Sequence, residues 1–176
     1  MAGPSAKRIK TQQELASIVE KAKSEGKTVV FTNGVFDFVH VGHLTYLEKA
    51  RELGDMLVIG LNNDASIRRI KGPTRPINSE DDRGYILTGL RCVDYVSIFE
   101  EDTANNILDL VKPDIYVKGG DYTPEKLPEA PTVIKNGGKV VIIPLEDGYS
   151  NSSQFKKIQT AENTKTDFQR PDFLAK

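Results

Sequence analysis

The hydrophobic positions of this chain follow two alternating patterns. Short runs rich in valine and isoleucine recur without polar alternation, as is typical of strands buried on both faces of a sheet. Between them, apolar residues recur three and four positions apart, which is the period of an amphipathic helix. The apolar runs predict strands over residues 28–34, 55–63, 95–99, 114–120 and 138–145. The helical pattern covers residues 11–26, 42–53, 64–70, 79–90, 104–111, 132–136 and 150–158.

Polar residues indicate where several of these helices begin. Thr11 and Glu14 have the spacing of a capping box, and Gly26 ends the same helix. Asp64 and Ser79 are predicted to cap the third and fourth helices. In the fourth helix we expect an inward apolar face made of Ile86, Leu87 and Leu90.

The order of these elements predicts the fold. Strands that alternate with helices through short loops form right-handed crossovers and a parallel sheet. We therefore expect an α/β protein with a single domain, built on a doubly wound, Rossmann-like parallel five-stranded sheet. Such sheets bind ligands beyond the carboxyl ends of their strands, so the loops after strands one, two, four and five are the candidate site. The domain is predicted to span residues 9–159, between a disordered lead-in (1–8) and a polar C-terminal tail (160–176).

Composition and charge limit the classes of partner that this chain is expected to bind. With 38% hydrophobic and 28% charged residues, the chain has the balance of a soluble globular protein. A net charge of −1 gives no general attraction to nucleic acid or to an anionic membrane. No apolar run reaches the length of about 18 residues that a transmembrane helix needs. A single cysteine, Cys92, excludes an intramolecular disulfide, and we expect a packed thiol in a cytoplasmic protein.

The segment TNGVFDFVHVGH (32–43) carries the strongest chemical signal. A buried strand runs into a glycine turn and then a helix start, whose free N–H groups and positive dipole end suit phosphate. Gly34 lets a ligand approach the backbone, and both histidines of the chain, His40 and His43, can face one side of the entering turn. Two alternatives remain: the histidines only cap the helix, or they bind a metal with Asp37 as a third ligand.

Four further segments supply candidate residues. Lys71 and Arg75 flank a stiff turn that can clamp two phosphates, or is simply a solvated basic turn. Arg83 is either a local salt-bridge partner or a ligand contact. Two more segments are a glycine turn after strand four and a hydroxyl-rich helix start near the C-terminus. Each either caps its secondary-structure element or contacts a nucleotide. These last two segments contain Gly119, Asp121, Tyr122, Gly148, Ser150, Asn151 and Ser152.

Together these segments resemble the cytidylyltransferase-like nucleotidyltransferases. Within that superfamily the chain is most similar to the D-glycero-β-D-manno-heptose 1-phosphate adenylyltransferases, which occur alone or as the C-terminal half of a bifunctional kinase/adenylyltransferase. The resemblance covers about residues 9–159, and it depends on the order and spacing of several blocks rather than on any single one. The blocks are residues 32–43, 53–78, 80–83, 93–103, 112–122 and 147–153.

The resemblance implies a role for each candidate residue. The implied catalytic residues are His40, His43 and Lys71. The implied nucleotide-binding residues are Thr32, Asn33, Gly34, Val35, Phe36, Gly42, Gly119, Asp121, Tyr122, Gly148, Ser150, Asn151 and Ser152. The implied substrate-binding residues are Asp37, Arg75 and Arg83. The resemblance also implies Mg²⁺ carried by the triphosphate rather than by a metal site of the protein, and a homodimer.

The resemblance further implies a reaction. ATP and a sugar 1-phosphate would give an ADP-sugar and pyrophosphate, which in this family supplies ADP-heptose for the bacterial lipopolysaccharide core. One alternative is a CTP-dependent cytidylyltransferase that acts on a polyol or amino-alcohol phosphate, although Val35 and Leu145 depart from the glycerol-phosphate branch. A second alternative is a non-catalytic nucleotide-sensing module. Asn151 replaces a threonine of the family pattern, which weakens the hydroxyl contact expected there.

Overall fold

A parallel sheet organises the part of the chain that the structure describes. The structure is a computed structural model, and it describes residues 3–120, 123–144 and 160. Within these residues the strands are β1 (Val29–Gly34), β2 (Met56–Asn62), β3 (Tyr95–Phe99), β4 (Ile115–Gly119) and β5 (Lys139–Ile143). They lie in the order β3-β2-β1-β4-β5, and every neighbouring pair is parallel. The predicted five-stranded, doubly wound parallel sheet is confirmed.

Helices cover both faces of this sheet. They are α1 (Gln12–Ser24), α2 (Val41–Arg51), α3 (Asp64–Lys71), α4 (Glu80–Gly89), α5 (Asn105–Val111) and α6 (Ala130–Lys135), with 3-10 turns at Pro4–Arg8 and Pro124–Lys126. One apolar cluster joins α1, α5 and α6 to one face, through residues such as Leu15 and Ile107. A second joins α2 and α4 to the other, through Leu47 and Leu87. Each such buried side chain contributes about 1.5–3 kcal/mol, so the strands that carry the site are fixed from both sides.

The strand order reverses between β1 and β4, which identifies the binding edge. The chain proceeds outward from β1 through β2 to β3, and then returns to β4 on the other side of β1. In open α/β sheets, ligands bind beyond the carboxyl ends of the strands at such a switch point. Gly34 ends β1 and Gly119 ends β4, so the loops that follow these two glycines border the expected crevice.

The helix caps agree with the sequence pattern at two positions and differ at a third. Thr11 and Glu14 form the predicted capping box, and the Ser79 hydroxyl accepts from the Asp82 N–H. Helix α3, however, is capped by Asn63, whose side chain accepts from the N–H of Ser66. The carboxylate of Asp64, the predicted cap, is instead paired with a buried arginine.

Other predicted features also differ from the structure. Ile86 is 45% exposed whereas Leu87 is fully buried, so the predicted inward face of α4 is wrong at Ile86. Helix α6 begins at Ala130, two residues before its predicted start. Residues 4–8, which we expected to be disordered, form a 3-10 turn. Two hydrogen bonds attach this segment to the domain: Arg8 Nη1 donates to the carbonyl of Val93, and the N–H of Lys10 donates to that of Val96.

The chain divides into the unit Met1–Leu145, which holds all the elements named above, and the unit Glu146–Lys176. Of the second unit the structure describes only Thr160. The helix predicted over 150–158 therefore lies outside the described residues, and the boundary predicted at residue 159 stays a prediction. None of the described helices has the length and apolar character required to cross a membrane.

Candidate active site

The turn after β1 folds an aromatic ring back over the strand. Phe36 adopts a left-handed backbone conformation with φ 44° and is largely buried. Its ring lies so close to Gly34 that a Cβ there would be 3.0 Å from a ring carbon. The sequence predicts that Gly34 opens the backbone to a ligand. In the structure, the space left by its missing side chain is taken by Phe36.

The two histidines meet at the start of α2. His40 is the residue before the first helical turn and His43 lies within that turn. Their ring centroids are 4.0 Å apart, and the ring of Phe36 is 5.5 Å from that of His43. The predicted pairing of the imidazoles on one side of the entering turn is therefore the arrangement that the structure has.

The protonation of these imidazoles follows from their surroundings. Burial, together with the neighbouring His40, lowers the pKa of His43 to about 4. Burial also lowers the pKa of His40. The backbone N–H of His40 donates to Nδ1 of His43 at 3.4 Å. An accepting Nδ1 carries no proton, so neutral His43 carries its proton on Nε2 and can donate from there.

Helix α2 adds backbone donors to the imidazoles. The first hydrogen bonds within this helix run from the N–H groups of His43 and Leu44 to the carbonyl of His40. The N–H groups of Val41 and Gly42 precede these bonds, at the positive end of the helix dipole. A helix start of this kind binds anions, and here it adjoins two imidazoles.

The last residues of β1 contact β4 through their side chains. Thr32 is fully buried, and its hydroxyl lies 2.7 Å from that of Tyr46, which donates to the carbonyl of Val117. Thr32 therefore joins β1, α2 and β4 inside the core. Asn33, one residue nearer the edge, accepts at Oδ1 from Tyr116 Oη at 2.7 Å and Lys118 Nζ at 3.1 Å.

Asp37 holds the segment before α4 against the turn after β1. Only 2% of the residue is exposed. Its Oδ1 accepts from the backbone N–H groups of Ile77 and Asn78, at 2.7 and 3.1 Å, and its Oδ2 pairs with Arg75 Nη1 at 2.8 Å. The carboxylate is thus bound by groups of the protein itself, and the substrate contact implied for Asp37 stays a prediction. Arg75 is partly exposed and is brought to the turn by this pair.

Arg83 lies in the interior, although the sequence predicts a substrate contact. Its side chain has no exposed surface. The guanidinium donates to the carbonyls of Val35, Asn62 and Asn78 and to the carboxylate of Asp64, at 2.7–3.1 Å. The residue therefore joins the turn after β1, the end of β2 and the start of α4, and its side chain exposes no surface to a substrate in this conformation.

The remaining candidates are distributed around this edge. Lys71 is the exposed last residue of α3, and the contacts of the described residues do not connect it to the histidines. Gly42 lies in the first turn of α2, and Gly119 ends β4. The following candidates lie outside the described residues: Asp121, Tyr122, Gly148, Ser150, Asn151 and Ser152.

Tyr116 and Lys118 are neighbours of the site that the sequence reading missed. They lie two residues apart on β4 and reach the same atom of Asn33. Burial lowers the pKa of Lys118, against the opposing effect of Glu129, a buried carboxylate. The spacing of the two residues on a strand whose end borders the site was the available signal, because residues i and i+2 of a strand share a face.

Comparisons with known proteins agree with this architecture. The family model described as cytidylyltransferase-like matches residues 31–166. Bifunctional protein HldE of Syntrophotalea carbinolica is 52% identical over 151 residues, and that of Trichlorobacter lovleyi is 48% identical over 151. These alignments cover 86% of this chain but 31% of each relative, so the chain spans about a third of the length of the curated relatives it matches.

A solved structure gives the same result. The lipopolysaccharide core biosynthesis protein of Thermoplasma volcanium is 34% identical with a TM-score of 0.57, and the match covers 71% of this chain and all of that one. The resemblance seen in the sequence is thereby confirmed. The strand order, the helix start with its two imidazoles and these matches lead to one conclusion: the chain belongs to the cytidylyltransferase-like family of nucleotidyltransferases.

Proposed function

We propose that this chain transfers AMP from ATP to D-glycero-β-D-manno-heptose 1-phosphate, giving ADP-heptose and pyrophosphate for a lipopolysaccharide core. The observation that carries the proposal is the pair of neutral imidazoles at the open start of α2, beside the switch point of the sheet. The resemblance of residues 32–43 to the heptose 1-phosphate adenylyltransferases supports the choice of substrates. The name of the Thermoplasma volcanium protein supports the pathway.

The transfer needs no nucleophile from the protein. An oxygen of the sugar phosphate, ionised at neutral pH, attacks the α-phosphorus of ATP. The new P–O bond forms as the bond from the α-phosphorus to the bridging oxygen breaks, and its electron pair leaves with pyrophosphate. Catalysis then depends on donors placed where phosphate charge increases. In this chain those donors are Nε2–H of His43, the imidazole of His40 and the free N–H groups of Val41 and Gly42.

Cations from neighbouring segments complete the proposed site. Arg75, fixed beside the turn by Asp37, would contact the triphosphate or the sugar phosphate, and Lys71 would contact the triphosphate. We propose that Mg²⁺ enters with the triphosphate and neutralises its charge, since the carboxylate of Asp37 is already bound by two N–H groups and Arg75. The nucleotide would lie near Asn33 and Gly119, and near the candidates outside the described residues.

The partners and the setting of the reaction are also proposals. We infer small-molecule substrates without nucleic acid, because the net charge of −1 supplies no general attraction to polyanions. A homodimer is proposed from the family resemblance, and Val41 and Ile77 are exposed apolar residues that a second copy could contact. A cytoplasmic location is proposed because the nucleotide substrate is made there. Light scattering tests the dimer.

A substrate screen tests the reaction. Pyrophosphate release is measured with each of the four nucleoside triphosphates, Mg²⁺ and a panel of phosphorylated sugars, polyols and amino alcohols. We expect turnover with ATP and the heptose 1-phosphate. Turnover only with CTP and a polyol phosphate would replace these substrates, and no turnover with any acceptor would favour a nucleotide sensor. The variant His43→Ala should lower turnover about 10²-fold or more, and a near-native rate would remove His43 from the mechanism.

A further inference from the structure

The carboxamide of Asn33 is held by two donors from the neighbouring strand. Asn33 is the second-last residue of β1, and residue Thr32 before it is paired with Val117 of β4. Tyr116 and Lys118, on either side of Val117, both reach Oδ1 of Asn33, at 2.7 and 3.1 Å. Two side chains of one strand therefore converge on a single atom at the edge where the site lies.

These contacts fix which way the amide faces. A lysine ammonium can only donate, so the atom of Asn33 that faces Lys118 must be the oxygen. The second contact, from the hydroxyl of Tyr116, occupies the other acceptor direction of the same oxygen. The amide nitrogen then faces away from both, with two N–H donors. In the described part of the chain this nitrogen donates to no acceptor, and Asn33 is only partly buried.

The arrangement is costly for a purely structural contact. Lys118 is partly buried, and this burial lowers the pKa of its amine. Tyr116 is fully buried, and burial raises the pKa of its hydroxyl, with a further contribution from Glu129. Apolar side chains of similar volume would fill the same space without taking an ammonium partly out of water. The two residues therefore do more than fill space at the end of β4.

We propose that Tyr116 and Lys118 are positioning residues, which orient the carboxamide of Asn33 so that its two N–H groups donate to phosphate oxygens of the bound nucleotide. This inference rests on the proposed function, because it concerns the same nucleotide site. Asn33 is the residue that touches the ligand, and the other two act through it. A donor that is fixed before the ligand arrives needs no reorganisation during the reaction, so loss of either support should affect turnover as well as binding.

A double-mutant cycle tests whether Lys118 acts through Asn33. The variants are Lys118→Met, Asn33→Ala and their combination, and the readouts are kcat and KM for ATP together with the Kd for Mg-ATP by calorimetry. We expect each single change to lower kcat/KM about tenfold or more, and Lys118→Met to cost less than about twofold once Asn33 is alanine. The matched control is Lys139→Met, the same change at the exposed start of β5, which should leave the kinetics unchanged.

The variant Asn33→Asp separates positioning from simple packing. A carboxylate at this position keeps the shape and accepts from Tyr116 and Lys118 as well as the amide does, so a structural role predicts no loss. It has no N–H to donate and adds a negative charge, so our proposal predicts a loss at least as large as that of Asn33→Ala. Tyr116→Phe removes one donor and keeps the ring, and it replaces Lys118→Met in the cycle if that variant does not fold.

The outcomes distinguish this inference from the proposed function. If the wild type turns over but the Lys118 and Asn33 effects add independently, or Asn33→Asp behaves like the wild type, the positioning role is overturned and the reaction stands. If no acceptor supports turnover but the same coupling is seen in the Kd for Mg-ATP, positioning is supported and the reaction fails. A wild-type chain that neither binds Mg-ATP nor turns it over would overturn both.

Discussion

Replacing Arg83 by methionine should destabilise the fold, because the structure makes this arginine a buried connector. Its guanidinium donates to three backbone carbonyls, at 2.7–3.1 Å, and to the carboxylate of Asp64, at 2.7 Å. The variant Arg83→Met fills much of the same volume but removes all four bonds. It leaves the carboxylate of Asp64 without its cation and the carbonyls of Val35, Asn62 and Asn78 without this donor.

The size of the effect follows from the burial of these groups. Removing one partner of a buried, hydrogen-bonded ion pair costs about 3–5 kcal/mol. The chain offers a matched control in Arg69, which also binds one carboxylate, that of Asp102, and one backbone carbonyl, that of Glu100. The side chains of Arg69 and Asp102 are 50% and 56% exposed, and an exposed pair contributes at most about 1 kcal/mol. The variant Arg69→Met should therefore be nearly neutral.

Thermal unfolding followed by circular dichroism measures both variants under the same conditions. For a chain of this size each kcal/mol lowers Tm by about 2–4 °C, so Arg83→Met should melt roughly 6–20 °C below the wild type. Equal melting temperatures for Arg83→Met and Arg69→Met would refute the reasoning. Unchanged stability with a large loss of turnover would instead restore the substrate contact that the sequence suggests for Arg83.

One titration and two substitutions give further tests of the site. The signal of His43 in an NMR titration of the free protein should change near pH 4. Since this pKa lies below that of an unfolded histidine, the stability that His43 contributes is present above about pH 6.5 and is lost as the pH falls toward 4. A pKa near 6.5 in the free protein would contradict this prediction. Lys71→Ala should raise the KM for ATP and slow turnover, and unchanged kinetics would remove Lys71 from the site. Asp37→Asn should lower Tm and impair turnover, because an amide cannot pair with Arg75; a variant with native Tm and kinetics would contradict that anchoring role.

Most of the fold could be predicted because its physical cause is local in the sequence. Strands of a parallel sheet are buried on both faces, so β2 appears as a nearly unbroken apolar run. The histidine pair could be predicted for the same reason, since the turn, the helix start and both imidazoles lie within twelve consecutive residues. The resemblance of that segment to a family then supplied the chemistry.

The rest depends on partners that are distant in the chain. The carboxylate of Asp37 is bound by N–H groups 40 and 41 residues away, and Arg83 reaches the carbonyl of Val35 across 48 residues. No local sequence pattern indicates contacts between residues so far apart, so both residues were candidates for a contact with the substrate. The predicted cap of α3 was wrong for a related reason. The carboxylate of Asp64 forms an ion pair with Arg83, and the adjacent Asn63 caps the helix in its place.

The low pKa of His43 bears on how the proposed site can release its product. A permanently charged lysine would attract pyrophosphate as strongly after the reaction as it attracts the triphosphate before it. A neutral imidazole donates a hydrogen bond without a full charge, and phosphate nearby raises its pKa because the anion stabilises the cationic form. Each unit of that rise corresponds to about 1.4 kcal/mol of coupling between protonation and binding, so the site tightens as the pH falls toward the raised pKa. Above that pKa the additional proton leaves His43, the coupling is lost and this residue contributes only a hydrogen bond to pyrophosphate.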